Sequence, residues 1–198
     1  MKKFIFVFTI ALVLISCGKS PEEKANELIK IEVIKTLYKP DTYNPVETKL
    51  DSAFSPSCDP ELLKKMHEIF IMVPQMMQLK NELDDAQSSM AMWSNSQTDI
   101  GTNEYNKAKQ KYENLSSQLE SLQLKGTKIV QEVRSMMSQS PKFIGFMATH
   151  NYRADNNAGN TLIGNEIFII DPEFKKVLFR CDAEEYNQIQ AELKELEE

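Results

Sequence analysis

The sequence predicts an α+β protein, in which a small helix-on-antiparallel-sheet body carries an inserted long antiparallel helical hairpin and a C-terminal helix. Two observations predict this class. Apolar residues recur at helical spacing through two long segments in the middle of the chain, which a short polar stretch separates. On either side of them, shorter segments alternate apolar and polar residues, as half-buried strands do. A chain of 198 residues has room for one such body and its appendage.

The first predicted helix begins at Pro21 and extends to about Tyr38. Ser20 is its expected N-cap, and Glu23 is placed to close a capping box. The wide apolar surface of this helix is typical of a helix that packs on a sheet. After a proline-aspartate break, residues 43–54 alternate in polarity and predict the first strand.

A helical hairpin is predicted in residues 59–140. Asp59 and Pro60 start its first arm with the same N-cap and first-turn proline chemistry. Both arms carry apolar residues at spacings of three and four, as coiled coils do, and should pair over roughly 50 Å. Pro74 is expected to kink the first arm. The expected seam comprises Leu62, Met66, Ile69, Val73, Met76 and Leu83, and then Tyr105, Ala108, Tyr112, Leu115, Leu119, Leu122, Gly126, Ile129, Val133 and Met136.

The chain after the hairpin is expected to return to the body. Alternating segments predict three further strands at 143–152, 162–170 and 176–180. Asp182 and Glu185 are spaced as a capping box and predict the start of the C-terminal helix.

This order of elements divides the chain into a signal peptide (1–16), two parts of one body (17–58 and 141–198) and the hairpin between them (59–140). At the segments 38–43, 152–156 and 168–171, the body resembles uncharacterised secreted bacterial proteins that have a helix on an antiparallel sheet. The resemblance covers less than half of the chain and does not include the hairpin. It implies a fold and no activity.

The amino terminus has the layout of an export signal. Two lysines and an apolar run precede the quartet Leu14-Ile15-Ser16-Cys17, which resembles the lipobox of bacterial lipoproteins. The run is shorter than the roughly 20 apolar residues that a membrane span needs. The resemblance implies that residues 1–16 are removed and that Cys17 is acylated, for instance with palmitate, which anchors the protein to a membrane. An ordinary signal peptide with an incidental cysteine is the alternative.

The expected location is therefore the cell envelope, with a lipid anchor in the outer membrane of a Gram-negative bacterium. The sequence does not specify the periplasmic or the surface side. Three residues separate Cys17 from the first helix, a tether of about 10 Å that holds the body against the bilayer. Loss of Lys2 and Lys3 with the signal peptide changes the formal net charge from −6 to −8. An acidic chain without a basic face argues against nucleic acid as a partner.

The sequence contains no recognisable catalytic motif, and we expect neither a metal nor a cofactor. The only histidines, His67 and His150, have no acidic or cysteine partner at metal-ligand spacing. His150, Tyr152, Arg153 and Asp155 come together at a strand end, where ordinary strand and turn chemistry accounts for them. A catalytic site of an unrecognised kind at these residues is the alternative.

Cys58 and Cys181 each directly precede an aspartate that is predicted to cap a helix. Export would place them in a compartment where disulfides persist. A bond between them would close a loop of more than 100 residues and contribute up to about 4.7 kcal/mol in the chain-entropy model. Two buried thiols are the alternative.

Two apolar surfaces of the hairpin are candidate partner sites. The stretch Met66–Leu79 is apolar almost all round, so it must bury a second face against the body, another copy or a ligand. Near the tip, Met90, Met92, Trp93 and Ile100 form an apolar cluster, in which an exposed tryptophan would anchor a partner. A self-contained lock on the turn is the alternative.

These observations together predict an envelope lipoprotein that acts as a non-enzymatic interaction or structural module. Its hairpin would bind another protein or a second copy of itself. A carrier of a small apolar ligand and an envelope enzyme are the alternatives, and no motif in the sequence identifies a partner or a ligand.

Overall fold

The computed structural model describes residues 19–197, and in this part of the chain the predicted α+β class is confirmed. Four α-helices accompany a four-stranded antiparallel sheet. The elements are, in chain order, α1 (Pro21–Ile34), β1 (Asn44–Ser55), α2 (Pro60–Trp93), α3 (Asp99–Met137), β2 (Lys142–Asp155), β3 (Thr161–Ile170), β4 (Val177–Asp182) and α4 (Ala183–Glu197). A short 3₁₀ helix, Pro40–Thr42, connects α1 to β1.

Side chains cap the helices largely where the sequence predicts. The capping box at the start of α1 is complete, and Asp59 accepts hydrogen bonds from the first-turn amides of α2. Asp182 likewise accepts an amide hydrogen bond at the start of α4. The expected capping box of α4 is not formed, because the Glu185 carboxylate binds His67 of α2 instead. A tertiary contact thus takes a side chain that the local pattern assigns to the cap.

The four strands lie side by side in chain order, each antiparallel to its neighbour. The helical hairpin is inserted between two paired strands, because Ser55 at the end of β1 lies opposite Lys142 at the start of β2. The turn between β3 and β4, residues 171–176, lies at the same end of the sheet. We call this the proximal end.

Helices cover both faces of the sheet. The core on one face is formed by α1 with the sheet, and it contains Ala25, Ile29, Val33, Ala148, Tyr152, Ala154, Phe168 and Ile170. The opposite face packs against α4 and the base of the hairpin, and its core includes Leu62, Leu63, Met66, Val133, Ile167, Ile169, Phe179, Ile189 and Leu193. β3 supplies both cores because successive residues of a strand point to opposite faces.

The hairpin arms α2 and α3 contain 34 and 39 residues. At 1.5 Å of rise per residue they span roughly 50 and 60 Å. The seam predicted for α3 is confirmed, since none of the predicted seam residues between Tyr105 and Met136 is exposed.

The seam predicted for α2 is wrong by one residue in the middle of the arm. Met72 is buried where Val73 was expected, and Leu79 is half-buried where the spacing falls on Lys80. A lysine in the seam would bury an unpaired charge, so the neighbouring leucine takes that position. α2 remains helical through Pro74.

Candidate functional site

Cys17, the predicted lipid attachment site, lies outside the residues that the structure describes. The first described elements are Lys19, Ser20 and then α1. Across residues 19–197, none of the helices combines the length and the apolar character that a membrane crossing requires.

Four phenylalanine rings form a continuous row at the proximal end of the sheet. Phe174 stacks on Phe146 with ring centroids 4.6 Å apart. Phe143 meets Phe146 edge-on at 5.5 Å, and Phe54 meets Phe143 at 5.8 Å. The first turn of α1 reaches Phe174, where Lys24 Nζ lies 6.0 Å from the ring centroid. The far half of this aromatic row is uncovered, since Phe54 and Phe143 are each 47% exposed.

A β-bulge places Phe143 in the aromatic row. The register between β1 and β2 shifts beside Gly145, so Phe143 and Phe146 share one side of the sheet although they are three residues apart. Gly145 has φ +142°, and a Cβ at this position would lie 2.0 Å from the carbonyl oxygen of Ile170. The row therefore depends on a glycine that no other residue can replace without strain.

A buried polar network joins α1 to the sheet through His150, which is fully buried. Its Nε2 lies 2.8 Å from the Tyr43 hydroxyl, and its Nδ1 lies 2.8 Å from Thr48 Oγ1. Thr48 donates its own proton to Asn26 of α1, so it accepts from Nδ1–H, and Nε2 accepts from Tyr43. Burial lowers the pKa of His150 although the charge of Glu166 opposes this shift. The ring is therefore neutral at neutral pH.

The second half of the network centres on Arg180. Its guanidinium donates two parallel hydrogen bonds of 2.7 and 2.8 Å to the Glu166 carboxylate, and a third of 3.0 Å to the Glu32 carbonyl of α1. Tyr152 also donates to Glu166, at 3.1 Å. Burial and then the negative charge of Glu166 raise the pKa of Tyr152 to about 12. The network thus ties α1 to β3 and β4.

Within the described part of the chain, every buried side-chain nitrogen and oxygen has a hydrogen-bond partner. The buried histidine and the largely buried ion pair therefore make their hydrogen bonds to protein groups, as in a structural network. A catalytic residue needs a free lone pair or proton that faces the substrate. The arrangement is suited to hold α1 on the sheet.

The sheet divides the four residues that were expected together at the end of β2. His150 and Tyr152 stack under α1 with ring centroids 5.6 Å apart. Arg153 is exposed on the opposite face, and Asp155 accepts a hydrogen bond from Thr161 in the neighbouring strand. Alternation along a strand separates the histidine from the arginine, so the proposed common site is not formed.

Sequence reasoning missed most partners of the network because they come from other elements. No spacing along the chain connects them to His150, and the strand register decides their positions. The sequence does offer one signal for two of them: Glu166 and Arg180 are charged residues within otherwise apolar strands. The missed residues are Asn26, Glu32, Tyr43, Thr48, Glu166 and Arg180.

Cys58 and Cys181 are free thiols in the structure, the second of the two arrangements that the sequence left open. Both are buried, and Cys58 Sγ lies 3.5 Å from the Tyr186 hydroxyl. Burial, with added repulsion from nearby carboxylates, raises the pKa of Cys181 to about 12. A thiol with this pKa is a poor nucleophile at neutral pH.

The methionine-rich base of the hairpin is covered on one side only. Met66 and Met72 are buried in the core that the hairpin base shares with the body, whereas Ile71, Val73 and Met77 remain exposed. An open groove of about 380 Å³ runs between this part of α2 and α4. Its lining residues are Met66, Ile69, Phe70, Val73, Pro74, Glu185, Gln188 and Glu192.

The apolar cluster at the tip is only partly available to a partner. Met92 and Ile100 are 75% and 73% exposed. Met90 and Trp93 are half-buried at seam positions. The surface that the tip presents is therefore formed by Met92 and Ile100.

Comparisons with known proteins identify no relative. No family model, curated protein or solved structure matches this chain. The lipobox and the likeness to secreted bacterial proteins therefore stay predictions. Within residues 19–197, no three His, Cys, Asp or Glu side chains form a group that could hold a metal ion. The surfaces left as candidate functional sites are the hairpin tip and the aromatic row.

Proposed function

We propose that this protein is a lipid-anchored component of the bacterial cell envelope and acts without catalysis, as an interaction module that presents its helical hairpin. This proposal rests on the outer half of the hairpin, residues 84–115. Among the described residues of this half, those that are buried belong to neither core of the body. They are Ala86, Gly101, Ala108 and Leu115. A segment of this length that adds nothing to the core is best explained as a surface for a partner.

The direction of α2 supports this role. Gln190 of α4 donates to the carbonyl of Ser57 next to the proximal end, whereas Glu185 binds His67, two turns into α2. α4 therefore runs antiparallel to α2, and α2 crosses the face of the sheet away from the proximal end. The 26 residues of α2 beyond His67 add roughly 39 Å. The tip lies far from the start of α1 and from the proposed anchor.

The two alternatives have less support. The groove at the hairpin base is open and lined by two carboxylates, whereas carriers enclose an apolar ligand in a largely apolar cavity. The polar network around His150 is fully paired, as described above. An interaction module requires neither a closed cavity nor a free catalytic group.

The anchor is tested with Cys17→Ser in the full chain. We expect this variant to lose both incorporation of a fatty-acid probe and its place in the membrane fraction, because several acyl chains on one residue provide the membrane affinity. Cys58→Ser is the matched control and should retain label and location. Label that persists in Cys17→Ser would contradict the proposed anchor.

The hairpin is tested by replacing residues 84–114 with a short glycine-serine turn. The removed residues belong to neither core, so we expect a cooperative thermal unfolding transition with a change of no more than about 1 kcal/mol in stability. Circular dichroism measures the transition. Failure of the shortened protein to fold would mean that the outer hairpin is integral to the body.

Partner binding is tested separately, with a photo-crosslinking amino acid placed in the intact chain in cells. Met92 at the tip and Ile163 in the body are both 75% exposed and form a matched pair of positions. We expect an adduct from position 92 and none from position 163. An adduct of twice the mass of the chain would identify a second copy as the partner, and the absence of any adduct at position 92 would overturn the interaction role.

A further inference from the structure

We propose that the aromatic row and the lysines beside it form the face of the body that lies against the lipid bilayer. This inference rests on the proposed anchor at Cys17 and adds a fixed orientation to it. The row consists of Phe54, Phe143, Phe146 and Phe174.

The length of the chain before α1 places the aromatic row next to the anchor. Three residues separate Cys17 from Pro21, which is about 10 Å when they are fully extended. Lys24 in the first turn of α1 already lies over the ring of Phe174. A bilayer that holds acyl chains on Cys17 is therefore within reach of the row.

The exposed half of the row has the chemistry of a surface that enters the bilayer interface. The rings of Phe54 and Phe143 are apolar, about half exposed and in contact with each other. No described helix covers them, because α1 begins beside Phe174 at the other end of the row. Phenylalanine rings that enter the interface bury apolar surface at the boundary between headgroups and acyl chains.

Exposed lysines border the row on both sides. Lys142 precedes Phe143, and Lys176 follows Phe174 by two residues in the turn at the proximal end. The long stems of such lysines can lie along apolar surface while their ammonium groups reach lipid phosphates. A row of rings that ends in ammonium groups is complementary to an interface with anionic headgroups.

Acidic groups at this end are mostly engaged by the protein itself. Glu173 pairs with Lys175, and Asp171 accepts the backbone amides of the turn. Glu23 is part of the capping box of α1. Glu22 of the first turn is exposed. The rings and the short tether therefore carry the contact, and the lysines add a preference for anionic lipid.

A second exposed apolar patch lies at the opposite end of the sheet and is less suited to this role. It comprises Tyr38, Leu162 and Ile163. The 14 residues of α1, about 20 Å in length, separate it from the anchor. When the aromatic row lies against the bilayer, the tip of the hairpin points away from the membrane, where a partner can reach it.

Tryptophan quenching by brominated lipid tests the inference, because Trp93 is the only tryptophan in the chain. The lipidated full chain is reconstituted into vesicles of phosphatidylcholine and phosphatidylglycerol, with and without brominated acyl chains. Phe143→Trp combined with Trp93→Phe places the reporter in the row. Ile163→Trp combined with Trp93→Phe is the matched control. We expect loss of emission for position 143, and unchanged emission for position 163 and for the original Trp93.

Equal emission from position 143 in the two kinds of vesicle would overturn the inference and leave the row to a protein partner. Quenching at position 163 instead would assign the bilayer to the opposite patch. Flotation of the protein with the vesicles reports the anchor separately, so a chain that fails to float contradicts the proposed function rather than this orientation. If Phe143→Trp does not fold, Phe54→Trp in the same background tests the same face.

Discussion

Gly145→Ala should lower the free energy of unfolding by about 4 kcal/mol, the sum of backbone strain and a steric clash. The added Cβ would lie 2.0 Å from the carbonyl oxygen of Ile170, and φ at this position is +142°. The clashing atom belongs to the backbone of β3, so relief requires separation of two paired strands. Denaturant unfolding of purified residues 19–198 measures the loss.

Gly126→Ala is the matched control for this substitution. Gly126 lies within α3, and its added Cβ would meet only the end of the Met72 side chain, at 3.7 Å. Alanine is the better helix former, so we expect a gain of up to about 1 kcal/mol. Similar effects at positions 126 and 145 would contradict the role of Gly145 in the bulge. Gly145→Ala should also displace Phe143 and reduce contact of the aromatic row with vesicles.

Arg180→Met should destabilise the protein by about 3 kcal/mol. The substitution leaves the Glu166 carboxylate without its cation, and this side chain is only 16% exposed. The hydrogen bond from Arg180 to the Glu32 carbonyl of α1 is lost as well. Denaturant unfolding measures the change, and faster amide hydrogen exchange in α1 should accompany it.

Lys175→Met is the control for a charge pair at the surface. Lys175 and Glu173 are 73% and 66% exposed, and pairs of this kind contribute less than about 1 kcal/mol. The double variant Arg180→Met, Glu166→Leu should recover part of the loss, since it removes the uncompensated charge. If Arg180→Met were as mild as Lys175→Met, the network would not hold α1 on the sheet.

Local patterns predicted the hairpin well because they express interactions between residues close in sequence. The seam of α3 repeats at spacings of three and four, and it follows the expected residues along its whole length. Helix starts depend on hydrogen bonds within one turn, as at Ser20 and Asp59. The error in the α2 seam lies at Val73, which is exposed while its neighbour Met72 is buried, and Leu79 takes the position where the spacing falls on Lys80.

The candidate sites were predicted less well because they depend on residues far apart in sequence. His150 was noticed, but its partners Tyr43 and Thr48 are more than 100 residues away and are placed by strand register. The aromatic row likewise requires the bulge at Gly145 and the turn that contains Phe174. Neither arrangement has a repeat or spacing that a single sequence displays.

The sequence by itself determined the α+β class, the order of the elements, the capped helix starts and the seam of α3, because short-range hydrogen bonds and the helical repeat specify them. Only the tertiary structure decided which side chains share a site. Alternation along β2 turned Arg153 away from His150, and the antiparallel register brought Glu166 to Arg180. The position of α1 on the sheet left Phe54 and Phe143 uncovered. Such groupings depend on how whole elements pack, and packing brings together residues that no local pattern connects.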